Sequence, residues 1–525
     1  MKEEKKTGSY YTPLELIQFM VDYLEKEKQD FSNVLEPSAG DGRFLSLLLP
    51  KATHIKAIEL FKEKVEQIQQ RYSDSKVEVK EQNFLDYILQ TNEKYSLIIG
   101  NPPYINLKMM DKEDIKKAKA LCVQEDLSKT AMQNMWLAFV VGAVRLLEAD
   151  GSIFFVLPME FLQVQYAEKL RGYLEQKFNT IHIISFEQSI FPEIEQDVCL
   201  VYLTNKQRCP AHILYEIYRE AKSSELISTN IIKKNKPLRK WSNAILADHE
   251  ISLLKEAQKK YKKIGQMGDI APGIVTGGNK FFILNQEQVN KYECILYTLP
   301  IVQKSSFILE RIIEIYEEAV NYIRDNGKPF YLLNLAEQKD IGALPEPLQK
   351  YLERIGEEKV RDVELKKRFK CANRSPWYGV PIVNKGDIVF FKRYHILPKI
   401  YVNVADVHTT DAGYHIRLKE PFNAESLVFC FFNSMTLAQC EYNGRYYGGG
   451  VSELVPSEFK ELAIPYRDIL PEDIAILKAL FKKKASVNEI INYVNSRTIN
   501  LDFAEETVNQ YESIRVKLIK RRKVI

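Results

Sequence analysis

Between residues 33 and 158 the chain alternates short apolar runs with stretches of helical periodicity, and no other feature constrains its fold as much. Residues 33–35 lead into Pro-Ser-Ala-Gly-Asp-Gly, after which 45–49 reads as helix. Residues 54–58 read as a second strand, followed by the amphipathic stretch 61–71. Residues 77–79 are a third candidate, and 97–100, short and wholly apolar, a fourth. A helix through 134–147 precedes the apolar run 153–158. Strands alternating with helices in this way build a parallel sheet covered on both faces. Residues 181–186 and 198–203 lie close in sequence and predict an antiparallel hairpin at the sheet edge, unless 189–195 is helical.

A chain of 525 residues is long enough for two or three domains. The pattern loosens over 205–245, where Lys233, Lys234, Lys236, Arg239 and Lys240 cluster. We place the boundary there, with a first domain at 1–240 and a second at 241–525. The second mixes short strands, aromatic clusters and glycines and ends in helical patterns near 472–484, 487–496 and 503–520. A composition of 45% hydrophobic and 27% charged residues is that of a soluble globular protein. The cysteine count, seven, is odd and no pair has CxxC spacing. That argues against zinc and against a disulfide framework, so we expect no metal and a reducing, cytoplasmic setting. The charged N-terminus has no apolar core of a signal peptide, and no run of 18 apolar residues occurs, so neither secretion nor a membrane span is expected. The net charge of +4 does not by itself imply nucleic acid; its distribution is more informative.

The loop Glu36-Pro37-Ser38-Ala39-Gly40-Asp41-Gly42 follows the first strand and precedes a helix, at the end of an open α/β sheet where ligands bind. On its glycines alone it is equally an ordinary strand-to-helix turn. Its charges are more selective. A pyrophosphate loop needs backbone donors without carboxylates, whereas Glu36 and Asp41 suit a cationic, zwitterionic ligand such as the amino-acid end of S-adenosylmethionine. Glu59 ends the second strand, where a carboxylate can accept both hydroxyls of a ribose; alone it is equally a surface carboxylate. Asn83 and Phe84 follow the third strand. An amide there can bind the adenine of a cofactor while Phe84 packs beside it, although Asn83 alone is an ordinary turn residue.

Asn101-Pro102-Pro103-Tyr104 directly follows the fourth strand and is the most specific signal in the chain. Alone it is a tight turn. In this position it suits methyl transfer to the amino group of adenine, whose lone pair is delocalised into the ring. The Asn101 side-chain oxygen and the Pro102 carbonyl can accept its two hydrogens and favour a pyramidal nitrogen. Pro102 and Pro103 stiffen the loop. Tyr104 offers a face on which an extruded base stacks.

In motif order the chain resembles the gamma-class N6-adenine DNA methyltransferases of restriction–modification systems, over roughly residues 8–203. The resemblance implies a Rossmann-like class I methyltransferase domain with a mostly parallel seven-stranded sheet, followed by a mixed α+β target-recognition domain ending in helices. It implies S-adenosylmethionine as cofactor. Tyr11, Thr12 and Pro13 would flank its methionine moiety, and Glu36, Pro37, Ser38, Ala39, Gly40 and Asp41 would form the glycine loop. Glu59 would hold the ribose and Asn83 and Phe84 the adenine, with Asn101 and Pro103 also touching the cofactor. Asn101, Pro102, Pro103 and Tyr104 would be catalytic, and Phe191 (in Phe191-Pro192) would stack on the flipped base opposite Tyr104. Family members often carry Asp where this chain has Asn83, and Asp86 is a second candidate for that partner.

The C-terminal half resembles the target-recognition region less tightly, through stretches at 273–284, 374–381 and 443–465. Lys366, Lys367, Arg368, Arg374, Trp377, Lys392, Arg393 and Arg445 are the expected DNA contacts, in a strongly basic and aromatic region. The partner implied is double-stranded DNA, with room for a separate cognate restriction endonuclease, and a monomer is expected. The rival readings are the same chemistry on RNA or on a protein glutamine amide, a catalytically silent DNA-binding relative, and a fused nuclease. Motifs that start at residue 8 leave no room for an N-terminal nuclease, so no cleavage is expected.

Overall fold

The computed structural model describes residues 11–129, 132–188, 190–191, 197–206, 211–234, 238–309, 312–360 and 362–522. Two compact units result. One runs through His249 and takes in Tyr447–Gly449 and Arg521; the other comprises Glu250–Tyr446 and Gly450–Lys520.

The first unit is built on a nine-stranded, mostly parallel sheet: β1 (Asn33–Glu36), β2 (His54–Glu59), β3 (Val77–Glu81), β4 (Tyr95–Gly100), β5 (Leu147–Pro158), β6 (Thr180–Phe186), β7 (Val198–Thr204), β8 (His212–Tyr218) and β9 (Leu226–Lys233), in spatial order 3-2-1-4-5-7-6-8-9. Its helices are α1 (Leu14–Lys26), α2 (Arg43–Leu48), α3 (Lys62–Arg71), α4 (Phe84–Gln90), α5 (Lys112–Gln124), α6 (Met135–Leu146) and α7 (Glu168–Lys177). Strand burial follows position. β4, flanked by β1 and β5, is buried at every residue, whereas the edge strands β3 and β9 are largely exposed and carry Glu78, Lys80, Glu81 and Lys233. Charge on an exposed edge discourages pairing with another chain.

The expected seven strands become nine. The segment after β7, where the apolar pattern loosens, forms β8, parallel to β6, and β9, antiparallel to β8. The expected hairpin of β6 and β7 is present but is not at the edge. β7 inserts antiparallel between β5 and β6.

α1 buries Leu16, Ile17, Met20, Val21 and Leu24 on one stripe. A polar bond fixes its register on the sheet: the Tyr23 hydroxyl lies 2.7 Å from His182 Nδ1 and donates to Glu216 Oε2 at 2.9 Å. Pro13 precedes the first turn of α1, so the chain at Tyr11–Pro13 is delivered by a helix anchored to the core.

The sheet's direction of winding reverses between β1 and β4, each of which has parallel neighbours on both sides. An open α/β sheet binds its ligands beyond the carboxyl ends of the strands at such a reversal. The loops after β1 and β4 therefore share one crevice.

The second unit is mixed α+β. Gly268–Pro272, Gly413–Leu418, Ile388–Phe391 and Lys399–Val402 form an antiparallel four-stranded sheet, and a second four-stranded sheet contains Ile283–Leu284, Tyr331–Leu333, Thr298–Val302 and His408–Thr409. The unit ends in helices at Pro471–Lys482, Val487–Arg497 and Glu505–Lys520. Among the described residues, no helix is long and apolar enough to cross a membrane.

Candidate active site

Three segments distant in sequence converge at the β1/β4 crevice. After β1 the chain turns through Gly40 and Gly42, both left-handed at φ +60° and +75°, a conformation glycine adopts without strain. A Cβ on Gly42 would lie 3.0 Å from Ile68 Cγ1 and 3.2 Å from Tyr72, so the turn packs tightly on α3. On the other side, the Tyr11 ring lies 3.7 Å from where a Cβ on Gly40 would stand.

Asn101 is tied into this arrangement at both ends. Its Nδ2 donates to Thr12 Oγ1 at 3.2 Å, and its carbonyl accepts from Ser38 Oγ at 3.2 Å. Fixing the amide nitrogen on Thr12 makes Oδ1 the acceptor end. The approach of β4 to β1 is close here: a Cβ on Gly100 would sit 3.5 Å from Pro37 and 3.7 Å from Glu36. Pro102 is buried and Pro103 half-buried. The Tyr104 hydroxyl donates to Val156 O at 3.0 Å; its burial, then Cys199 and Glu160 nearby, push its pKa well up, while the half-buried ring keeps exposed surface.

The carboxylates divide the work differently from the expectation. Asp41 is taken by Arg43 in a bidentate pair, with Nη2 to Oδ2 at 2.6 Å and Nε to Oδ1 at 2.9 Å. Burial alone would raise the Asp41 pKa, but the Arg43 guanidinium outweighs it and the net shift is downward. The same guanidinium donates to Thr12 O at 2.8 Å and lies 4.9 Å from the centre of the Tyr11 ring. Asp41 therefore fastens the N-terminal segment to the loop. Glu36 is the opposite case. It is 1% exposed, its Oε2 is buried without a partner, and burial, then Glu59, then Asp41, raise its pKa well above the carboxylate range. A buried, unpaired carboxylate is costly and fits a cationic ligand group. Glu59 is buried at the end of β2. Its Oε2 accepts from the Gly40 amide at 2.8 Å and its Oε1 from the Leu60 and Phe61 amides at 2.9 and 3.0 Å, so it braces the glycine turn. Oε1 thus accepts twice, and Oε2, which accepts once, retains a second lone pair.

Asn83 stands beside Glu59, because β3 pairs with β2 in a register that matches Glu81 to Glu59. Its Oδ1 caps α4 by accepting from the Leu85 amide at 2.9 Å, and its Nδ2 donates to Asp114 Oδ1 at 2.9 Å. Asp86 is bound to Lys117 at 2.7 Å. Phe84 is 3% exposed and packs on Phe139, 4.7 Å between ring centres, so it belongs to the core beneath the turn. Phe191 is 8% exposed and lies in the apolar cluster against which Tyr104 packs, so it presents little surface to a base. Pro192 falls outside the described residues. Arg43, Asp114 and Glu160 were missed by the sequence reading. Arg43 directly follows the glycine loop, but its pairing with Asp41 depends on a side-chain rotamer. Asp114 lies on another helix and carried no signal.

The basic residues of the second unit are more heavily engaged than their clustering predicts. Arg368 Nη1 donates to Gly277 O at 2.6 Å, and Arg374 donates to Thr276 O and Val275 O at 2.8 and 2.7 Å, so together they clamp the glycine turn. Lys367 pairs with Glu364 at 2.9 Å, and Lys366 lies 3.7 Å from Glu357. Lys392 and Arg393 face Glu453 at 4.0 and 2.9 Å, and Arg445 faces Glu458 at 3.1 Å. Trp377 packs on Gly356 and Phe282. The side chains of Lys367 and Arg393, at 65% and 64% exposed, present the most charge to solvent within this set. Exposed ion pairs are weak and exchange readily for other anions.

A 3-2-1-4-5-7-6 strand order with two more strands at one edge, and an Asn-Pro-Pro-Tyr loop beside a glycine loop, define a Rossmann-like class I methyltransferase domain. Two family models match the chain: Eco57I restriction-modification methylase over residues 35–191, and the C-terminal domain of Type II methyltransferase M.Eco57I over residues 238–499. The chain belongs to this family of restriction–modification methylases. It is 23% identical over 501 residues to the Type II methyltransferase M.AccI of Acinetobacter calcoaceticus, covering 88% of this chain and 86% of the relative. It is 23% identical over 321 residues to M.HindII of Haemophilus influenzae, covering 56% and 59%. In fold it is similar to the Type IIL restriction-modification enzyme MmeI solved in complex with DNA, with a TM-score of 0.63 and 13% identity over 100% of this chain and 80% of that one.

Proposed function

We propose that this protein is a site-specific DNA methyltransferase that uses S-adenosylmethionine to methylate the N6 amino group of an adenine turned out of the duplex. The single observation that carries the reading is the buried Glu36 carboxylate, with an unpartnered oxygen, next to an Asn101 whose amide is oriented by Thr12. The residues present fit the cofactor. Glu36 offers a charge to its ammonium, and Glu59 Oε2 has a lone pair for a ribose hydroxyl.

S-adenosylmethionine, when bound, supplies a methyl group on a positively charged sulfur. The chain's own residues do the rest. Asn101 Oδ1 and the Pro102 carbonyl accept the two hydrogens of the target amine, holding its lone pair out of conjugation. Pro102 and Pro103 keep those acceptors rigid, so little reorganisation is needed as charge develops on nitrogen. The Tyr104 ring, anchored through its hydroxyl to Val156, supports the base from one face. Extrusion of the base costs a few kcal/mol, which stacking at ~1–3 kcal/mol per base largely offsets. Duplex DNA as the substrate is supported by the family match to a C-terminal domain and by the DNA-bound state of the similar MmeI fold.

The test is transfer of labelled methyl from S-adenosylmethionine to duplex DNA, RNA and protein in parallel. The reading expects label in DNA, recovered as N6-methyladenine. Label confined to RNA or to a glutamine side chain would replace it.

A further inference from the structure

We infer that Asp114, not Asn83, accepts the hydrogen bond from the 6-amino group of the cofactor's adenine, and that Asn83 positions it; this rests on the S-adenosylmethionine reading above. Adenine lies beyond the ribose, so its amino group must find an acceptor near the turn after β3, next to Glu59. Three side chains offer one there. Asn83 Oδ1 is held by the Leu85 amide as the cap of α4, and its Nδ2, a donor, is turned to Asp114. Asp86 is bound to Lys117 at 2.7 Å. Asp114 remains. It projects from the first turn of α5, is half-buried, and is held through Oδ1 by Asn83 Nδ2 at 2.9 Å. Among the described residues its Oδ2 accepts no hydrogen bond.

The arrangement accounts for an amide at position 83. A carboxylate there would repel Asp114, whereas the amide donates to it and fixes its second oxygen as an acceptor. Asn83 is then a positioning residue: it reaches the ligand only through the carboxylate that it orients. Asp114→Asn preserves shape and the bond to Asn83, because an amide oxygen replaces Oδ1. It places an N–H donor where Oδ2 stood, which opposes the 6-amino group of adenine and suits the 6-oxygen of hypoxanthine.

The experiment is calorimetric titration of the full chain with S-adenosylhomocysteine and with S-inosylhomocysteine, in wild type, Asp114→Asn, Asn83→Ala and the double variant, with thermal unfolding recorded for each. Wild type is expected to prefer the adenosyl compound. Asp114→Asn is expected to bind that compound at least ~10-fold more weakly, as for a lost hydrogen bond to a charged group, and to shift preference toward the inosyl compound. Asn83→Ala is expected to weaken adenosyl binding in wild type but to add little in the Asp114→Asn background. A wild type that binds S-adenosylhomocysteine, with an unchanged preference in a folded Asp114→Asn variant, overturns the inference alone. A wild type that binds neither compound overturns the cofactor reading as well.

Discussion

In the proposed reaction Asn101 acts through an oxygen whose direction is set by a threonine 89 residues earlier in the chain. Removing the amide should leave the glycine loop, Glu59 and Glu36 in place. We predict that Asn101→Ala lowers the methyl-transfer rate by ~100-fold or more, as for loss of one preorganised partner, while cofactor affinity measured by calorimetry is retained; a near wild-type rate contradicts the role. Glu36 makes a second prediction. Its raised pKa means that the cofactor-free protein holds a proton there to higher pH than an ordinary carboxylate. An ammonium group stabilises the ionised form, so binding should release that proton and tighten as pH rises through the shifted pKa. Titration in buffers of different ionisation enthalpy reads the release directly, and Glu36→Gln should abolish it. Pairing of Asp41 with Arg43 could not be read from the loop, because it depends on a side-chain rotamer. The loop itself could be read, because its backbone turn needs Gly40 and Gly42.

Each segment of the candidate site after β1 and β4 is a strand end followed by a stiff or glycine-rich turn, and such segments are legible because the pattern is short and local. The strand β4 stands out in sequence because it is short, flanked and largely apolar, and it is buried at every residue. β9 does not, since Leu226–Lys233 carries Ser, Thr, Asn and Lys and lies at an exposed edge, where no apolar face is needed. Asp114 was invisible for another reason: its partner lies 31 residues away, on a helix whose docking no local pattern encodes. At this scale the tight packing of the glycine turn on α3 can be tested. Gly42→Ala must adopt φ near +75° and place a methyl 3.0 Å from Ile68. The left-handed backbone alone costs ~1–2 kcal/mol. The variant should unfold at lower temperature and bind cofactor more weakly; an unchanged melting temperature would show that the turn relaxes freely.

For the whole molecule, the sequence conveyed a basic cluster in its second half, but not the acids that answer that charge. Glu357, Glu364, Glu453 and Glu458 each face a lysine or arginine that the sequence reading assigned to DNA. DNA binding would then exchange these carboxylates, and condensed counterions, for phosphates. Affinity should fall steeply and log-linearly with salt; a flat response contradicts DNA as partner. The second unit also carries a pH liability. His408 and His415 are buried beside each other, with Lys385 and Asp406 facing them, and burial holds both pKa values down to about 4. An unfolded imidazole titrates near ~6.5, so the unfolded chain takes up protons first as pH falls. Stability should therefore drop from about pH 6.5 toward pH 4. His415→Gln should flatten that drop in thermal unfolding, and an equally steep fall in the variant would assign it elsewhere.

The central claim is that Asn101 and its rigid loop present an adenine amine for methylation in DNA. It is tested most directly by mapping modified bases in genomic DNA from cells that express the wild type or Asn101→Ala. The account predicts N6-methyladenine at one recurrent sequence in the first and its absence in the second. Methylation that persists with Asn101→Ala, or a modification found on cytosine instead, would contradict it.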